Sequence, residues 1–336
     1  MKKIFIFPLF VIFLMSAKSV DPLYATKLIP GGQNIGLEIK TDGLIVSGTY
    51  DLKLENGSLY NPSKDEDINR GDIIVKANNC NVSSLNDLIT IFNNTTLNDN
   101  KISLTIKRAS MFLNRSLSLI LIYNQFKTGL YVKERLLGVG TVSFYDPVNK
   151  IYGALGHEVI DNDTGRLIEI KSGMSYYTSV TSINKSSDGN PGNKVADFKT
   201  IKPLGDILTN TSIGIYGFYS NIDSKLNALE MAYHDEVKLG NAQIWTVING
   251  MKLEKFDISI TSLKKQDFSD IKGISFKVND NDLIEKTGGI VAGMSGSPII
   301  QNNKLVGAVT HVLTDDVDHG YGVYMEWMYN EALKLL

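Results

Sequence analysis

A single cysteine, Cys80, in 336 residues leaves no pair for a disulfide and no thiolate cluster for zinc. Histidine is almost as scarce. His157, His234, His311 and His319 are the whole set, so imidazole chemistry has few places to reside. A formal net charge of −2 supplies no basic footprint for nucleic acid or anionic lipid, and no nucleic-acid partner is expected. Beyond the N-terminus no apolar run is long enough to cross a bilayer, and residues 117–123 read as a buried strand instead. Tandem repeats and low-complexity tracts are also missing. What remains is an ordinary globular composition, 43% hydrophobic and 21% charged, at a length that favours two domains.

The N-terminus carries an export signal. Lys2 and Lys3 precede an apolar run over residues 4–15, broken only by Pro8, and Ser16-Ala17-Lys18-Ser19 then offers small residues for cleavage. A helix over that run spans about 18 Å, short of the roughly 30 Å hydrocarbon core. Residues 1–20 are therefore expected to be a signal peptide, or a tilted, uncleaved anchor that would give membrane association.

Residues 27–110 have the pattern of a small α+β module. Strands are expected at Asn34-Ile35-Gly36-Leu37-Glu38-Ile39 and Gly43-Leu44-Ile45-Val46, and a helix from about 85 to 92 with Ser84 as N-cap. Residues 101–107 alternate as a strand. Gly71-Asp72-Ile73-Ile74 followed by Asn78-Asn79 resembles the signature segment of PDZ domains, and Ile35-Gly36-Leu37 resembles their carboxylate-binding loop. The small pair that usually precedes the Gly-Asp is replaced by Glu66-Asp67-Ile68. The resemblance implies peptide binding at Ile35, Gly36 and Leu37 by strand addition.

Residues 113–336 are rich in short β-like runs punctuated by Gly, Asn and Asp, among them 137–145, 213–219, 242–249 and 256–261. Helical periodicity returns only at 326–336. The pattern predicts antiparallel barrels or a sandwich.

The chemistry concentrates in residues 287–312, around Gly293-Met294-Ser295-Gly296-Ser297-Pro298. Glycines at 293 and 296 allow a tight turn that exposes Ser295 and aims the amides of Gly293 and Ser295 at a developing oxyanion. A serine hydroxyl needs a base, and the base an orienting group. His157, behind the glycine turn of Tyr152-Gly153-Ala154-Leu155-Gly156, is the favoured base. For the acid, Asp206, Asp235, Asp280 and Asp282 all remain open on position alone. His311 could line the site or belong to a solvated loop with Asp315, Asp316, Asp318 and His319. The run His157-Glu158-Val159-Ile160-Asp161 lacks the second histidine of a helical metal site. No metal and no cofactor are expected.

Taken together, Gly153-Ala154-Leu155-Gly156-His157, Asn190-Pro191-Gly192, Asp235-Glu236-Val237-Lys238-Leu239-Gly240 and residues 287–312 resemble the stage IV sporulation protein B peptidases, which are PDZ-containing serine peptidases of endospore-forming bacteria. The resemblance covers nearly the whole chain beyond the signal. It implies a mainly β fold, a trypsin-like double β-barrel at 113–336 behind the PDZ domain. It also implies a triad of His157, Asp280 and Ser295. The implied activity is that of an exported, self-cleaving serine endopeptidase. Its substrate would be a protein or peptide, namely a membrane-anchored regulator of an intramembrane protease, cleaved in the space between forespore and mother cell to trigger processing of a sigma factor. Two other classes compete: a PDZ adaptor with an inactive peptidase domain, and a general extracytoplasmic quality-control protease.

Overall fold

The computed structural model describes residues 25–94, 100–161, 165–220, 222 and 227–336, the side chains of 199–201 excepted. The expected signal segment, residues 1–20, lies outside the described residues. The chain is mainly β, and two rings of six antiparallel strands account for most of it.

In chain order the elements that matter are β1 (Lys27–Pro30), β2 (Asn34–Lys40), β3 (Leu44–Thr49), β4 (Ile73–Ala77), α1 (Leu85–Asn93), β5 (Lys101–Arg108), β6 (Met111–Ser118), β7 (Leu130–Lys133), β8 (Leu136–Tyr145), β9 (Ile151–Ala154), β10 (Ser172–Asn184), β11 (Asn193–Asp206) and β12 (Gly214–Phe218). Then come β13 (Gly240–Val247), β14 (Leu253–Leu263), β15 (Ile274–Val278), α2 (Asn281–Thr287), β16 (Pro298–Gln301), β17 (Lys304–Leu313), β18 (Asp316–Tyr324) and α3 (Met325–Ala332).

The first barrel runs β11-β10-β2-β8-β9-β12, and a bridge between Gly205 and Tyr219 closes it. Period-2 alternation turns Ile35, Leu37, Ile39, Val142, Tyr152, Tyr177 and Leu204 into one interior. The second barrel runs β17-β16-β13-β14-β15-β18 and closes through pairing of β17 with β18. Ile244, Phe256, Ile258, Ile260, Phe276, Val278 and Ile299 fill it. A third cluster joins the barrels. Leu28 of β1 and Phe144 meet Leu305, Val323 and, from α3, Met325 and Met328. The strands expected at 137–145, 213–219, 242–249 and 256–261 appear as β8, β12, β13 and the middle of β14.

Between β2 and β8 the chain leaves the first barrel to build a separate sheet, ordered β7-β3-β4-β5-β6, with its own core of Leu44, Val46, Ile74, Leu88, Ile102, Leu104 and Ile106. Ser84 caps α1 as expected, in a reciprocal capping box with Asp87. This insertion corrects the expected boundaries. β2 belongs to the first barrel and β1 pairs with its strand β8, so neither is part of the small module, whereas β6 and β7 are. The expected peptide-binding residues Ile35, Gly36 and Leu37 move with β2. That strand is hydrogen-bonded on both edges, to β8 and to β10, so it has no free edge to receive a peptide. Gly36 packs so closely on Phe198 that an added Cβ would lie 2.2 Å from the ring. The alternation of Ile-Gly-Leu-Glu-Ile suits a strand in either setting; only its pairing partners, far along the chain, decide which.

Candidate active site

The loop after β9 and the loop before β16 interlock at the junction of the barrels. Leu155 and Gly156 both take left-handed backbone, at φ 71° and 73°, turning the chain so that His157 follows at the barrel mouth. Gly293 and Gly296, at φ 94° and 95°, bracket Ser295 in the same way. Contact between the two loops is close. A Cβ on Gly296 would stand 2.0 Å from the Thr141 carbonyl oxygen and 2.6 Å from the Leu155 nitrogen, and one on Gly156 would meet Thr310 and Val309. The Thr141 amide donates to the Ser295 carbonyl (3.0 Å), and the Gly296 amide to Val309 (2.7 Å). Thus Gly296, foreseen for exposing Ser295, also lets the His157 loop approach it.

His157 is half-buried, and its Nδ1 lies 2.7 Å from the carbonyl oxygen of Glu158. A carbonyl only accepts, so Nδ1 carries the proton and Nε2 keeps its lone pair, the tautomer a general base requires. Burial pushes the His157 pKa below the ordinary histidine value, and the bond to the Glu158 carbonyl works the other way. The ring of His311 packs on that of His157, centroids 5.1 Å apart. Burial, with His157 and Lys272 adding repulsion, brings His311 down to about 4. Both imidazoles are therefore neutral at pH 7.

Ser295 is half-buried and its hydroxyl donates to the Thr310 carbonyl at 2.8 Å, not to His157. The amides of Gly293 and Ser295 have no hydrogen-bond acceptor among the described residues. Two free N–H groups on a turn around a serine are what an oxyanion hole needs.

Asp280 is placed differently from the expectation. It is the N-cap of α2: one carboxylate oxygen accepts the Leu283 amide at 3.0 Å and the other the Asp257 amide at 3.3 Å. No hydrogen bond joins it to His157 among the described residues, where the Glu158 carbonyl occupies Nδ1. Asp282 faces solvent in the first turn of the same helix, paired with Lys286. The segment that carries Asp280 and Asp282 is a helix start, and Asp-Asn-Asp is good capping sequence.

Sequence reasoning missed Lys194, Thr141, Thr310 and the Glu158 carbonyl, and left His311 undecided. None of the four carries a motif, and Lys194 in particular lies on the inward face of β11 while its neighbour Val195 faces out. Among the described residues no group of His, Cys, Asp or Glu could hold a metal ion.

A family profile described as SpoIVB peptidase S55 matches residues 124–329. Solved structures with similarity include the Rv3671c protease from M. tuberculosis in its active form, 13% identical, with a TM-score of 0.33 over 59% of this chain and 74% of that one. An inactive serine-to-alanine mutant of the same protease gives 14% identity and a TM-score of 0.31, covering 58% of this chain and 80% of the other. No curated protein matches the chain.

Proposed function

This chain belongs to the SpoIVB peptidase S55 family and is a serine peptidase, and from that premise we propose that Ser295 is its nucleophile and His157 its general base in an exported, sporulation-signalling endopeptidase. The observation that carries the assignment is the interlocked pair of left-handed turns, 155–156 and 293–296. They bring a correctly tautomerised imidazole and a serine with two free amides to one barrel junction.

The chemistry follows from these groups. Rotation of the Ser295 side chain away from Thr310 delivers its proton to His157 Nε2 as Oγ attacks the scissile carbonyl. The amides of Gly293 and Ser295 receive the oxyanion, and the loss of one such donor typically costs about 10²–10³ in turnover. The Glu158 carbonyl holds Nδ1–H, fixing the tautomer and the ring plane. A neutral carbonyl stabilises the imidazolium less than a carboxylate would.

Export is supported by Lys2, Lys3 and the apolar run that follows, and the working place is the space between forespore and mother-cell membranes. Self-cleavage and cleavage of a membrane-anchored regulator of an intramembrane protease complete the reading. The inserted module, read as the PDZ domain, docks the partner. Its β7 stands at one end of the sheet order, and Leu85 and Ile89 of α1 leave apolar surface exposed. An extended chain added to β7 fits that edge, in place of the Ile35-Gly36-Leu37 segment.

One observation favours the adaptor reading, namely the Ser295 hydroxyl directed at Thr310 instead of His157. A fluorophosphonate probe decides between them. Covalent labelling of the wild-type chain, lost in both Ser295→Ala and His157→Ala, is the catalytic outcome. Absence of labelling in a folded wild-type chain is the adaptor outcome.

A further inference from the structure

Beneath the nucleophile turn lies a lysine the mechanism above does not use. Lys194, on β11, is 3% exposed, and no carboxylate pairs with it among the described residues. A charge left unpaired in a protein interior is costly, and burial lowers its pKa to about 7. Such a residue persists only where it does something that an apolar side chain of the same shape would not.

Its contacts converge on one loop. Its backbone amide donates to the Ala292 carbonyl at 2.9 Å, which fixes the 292–293 peptide plane. Because a trans peptide directs its N–H opposite its C=O, that bond turns the Gly293 amide away from Lys194. The methylene stem of Lys194 lines Gly293, where an added Cβ would lie 3.2–3.3 Å from Cβ, Cγ and Cδ of the lysine. Finally, Nζ donates to Thr246 Oγ1 at 2.9 Å and to Thr141 Oγ1 at 3.3 Å, and Thr141 Oγ1 donates to the Gly293 carbonyl at 2.7 Å. The 293–294 peptide plane is thereby held as well. Thr141 also contributes its backbone amide to the Ser295 carbonyl. One residue thus sets both peptide planes flanking Gly293, and through Thr246 on β13 it ties that turn to the second barrel.

We infer that Lys194 is a positioning residue for the oxyanion hole, acting on Gly293 through its own backbone and through the Thr141 hydroxyl. The inference rests on the reading of Ser295 as nucleophile. It makes the amide geometry of the hole depend on a relay, Lys194 to Thr141 to Gly293, that touches neither substrate nor the reacting atoms. A displacement of about 1 Å in a catalytic group costs about 100-fold.

The test is the second-order rate of Ser295 labelling by a fluorophosphonate, whose tetrahedral phosphoryl oxygen occupies the hole, measured in the full chain alongside thermal midpoints. Lys194→Met and Thr141→Val should each slow labelling by about 10- to 100-fold. The double variant should be no slower than the worse single, and Thr141→Ser should recover most of the loss seen with valine. Thr246→Val removes a lysine acceptor but leaves the bond from Thr141 to the Gly293 carbonyl in place, and should slow labelling less than Thr141→Val. A merely structural lysine would give the two threonine variants equal effects. Equal effects, or labelling of Thr141→Val within about twofold of wild type, overturn the inference even if Lys194→Met fails to fold. A wild-type chain that does not label overturns the Ser295 reading itself, and this inference with it.

Discussion

Replacing Asp280 by asparagine separates two roles that alanine would confuse. In the structure the Asp280 carboxylate caps α2 through Leu283 and accepts a second amide from Asp257. Asparagine is as good an N-cap as aspartate, so Asp280→Asn keeps the cap and loses only a weak, exposed bond of about 1 kcal/mol or less. Alanine loses both, about 2 kcal/mol in all, which for a chain of this size lowers the thermal midpoint by about 3 °C. If Asp280 instead supplied the negative charge that steadies the imidazolium, the asparagine variant would keep its stability and lose about 10⁴-fold in turnover. The geometry predicts the opposite pattern: labelling of Asp280→Asn within about threefold of wild type, and a clear loss of stability only in Asp280→Ala. Fluorophosphonate labelling rates and calorimetric midpoints on the same samples give the answer. A loss of 100-fold or more in a fully stable asparagine variant would refute the reasoning and return the acid to residue 280.

Other outcomes follow from the same contacts. The base must be neutral to accept a proton, and burial lowers the pKa of His157, so the acid limb of a labelling-rate profile should have its midpoint below the ordinary histidine value of about 6.5; a midpoint above that value contradicts the burial argument. His311 titrates near 4 when folded and near its ordinary value when unfolded, so the unfolded chain binds the extra proton between those two values. Stability should therefore fall as pH drops through that window, read as a falling thermal midpoint, and His311→Phe should flatten the fall. Gly296→Ala would force a methyl to within 2.0 Å of the Thr141 carbonyl at φ 95°, and labelling should drop by about 100-fold or more; an active, folded alanine variant would remove the need for the interlocked turns.

Local features were legible in the residues because they are set locally. Ser84 and Asp87 cap α1 from four consecutive positions, and the glycines around His157 and Ser295 announce left-handed turns wherever the strands go. The strand runs 137–145 and 242–249 alternate in hydropathy, which predicts burial without naming a partner. Pairing is another matter. β2 bonds to β8 and β10, about a hundred residues or more further on, and nothing in Ile-Gly-Leu-Glu-Ile says that the module opens after it rather than before it. Asp280 was read through a resemblance that carries residue types but not backbone conformation, and the local sequence is that of a helix cap. Lys194 inverts the usual signal, with a lysine facing in and a valine facing out, so hydropathy argued against noticing it. His311 was undecided because its role depends on its ring packing on His157, a contact between segments well separated along the chain.

The central claim is that Ser295 and His157 make this chain a working peptidase. Intact-mass analysis of the wild-type chain expressed beside Ser295→Ala, each with and without the fluorophosphonate, tests it most directly. The account predicts one probe adduct on Ser295 and self-cleavage fragments in the wild type, and neither in the alanine variant. Identical fragments from both chains, or a folded wild type that takes up no probe, would contradict it.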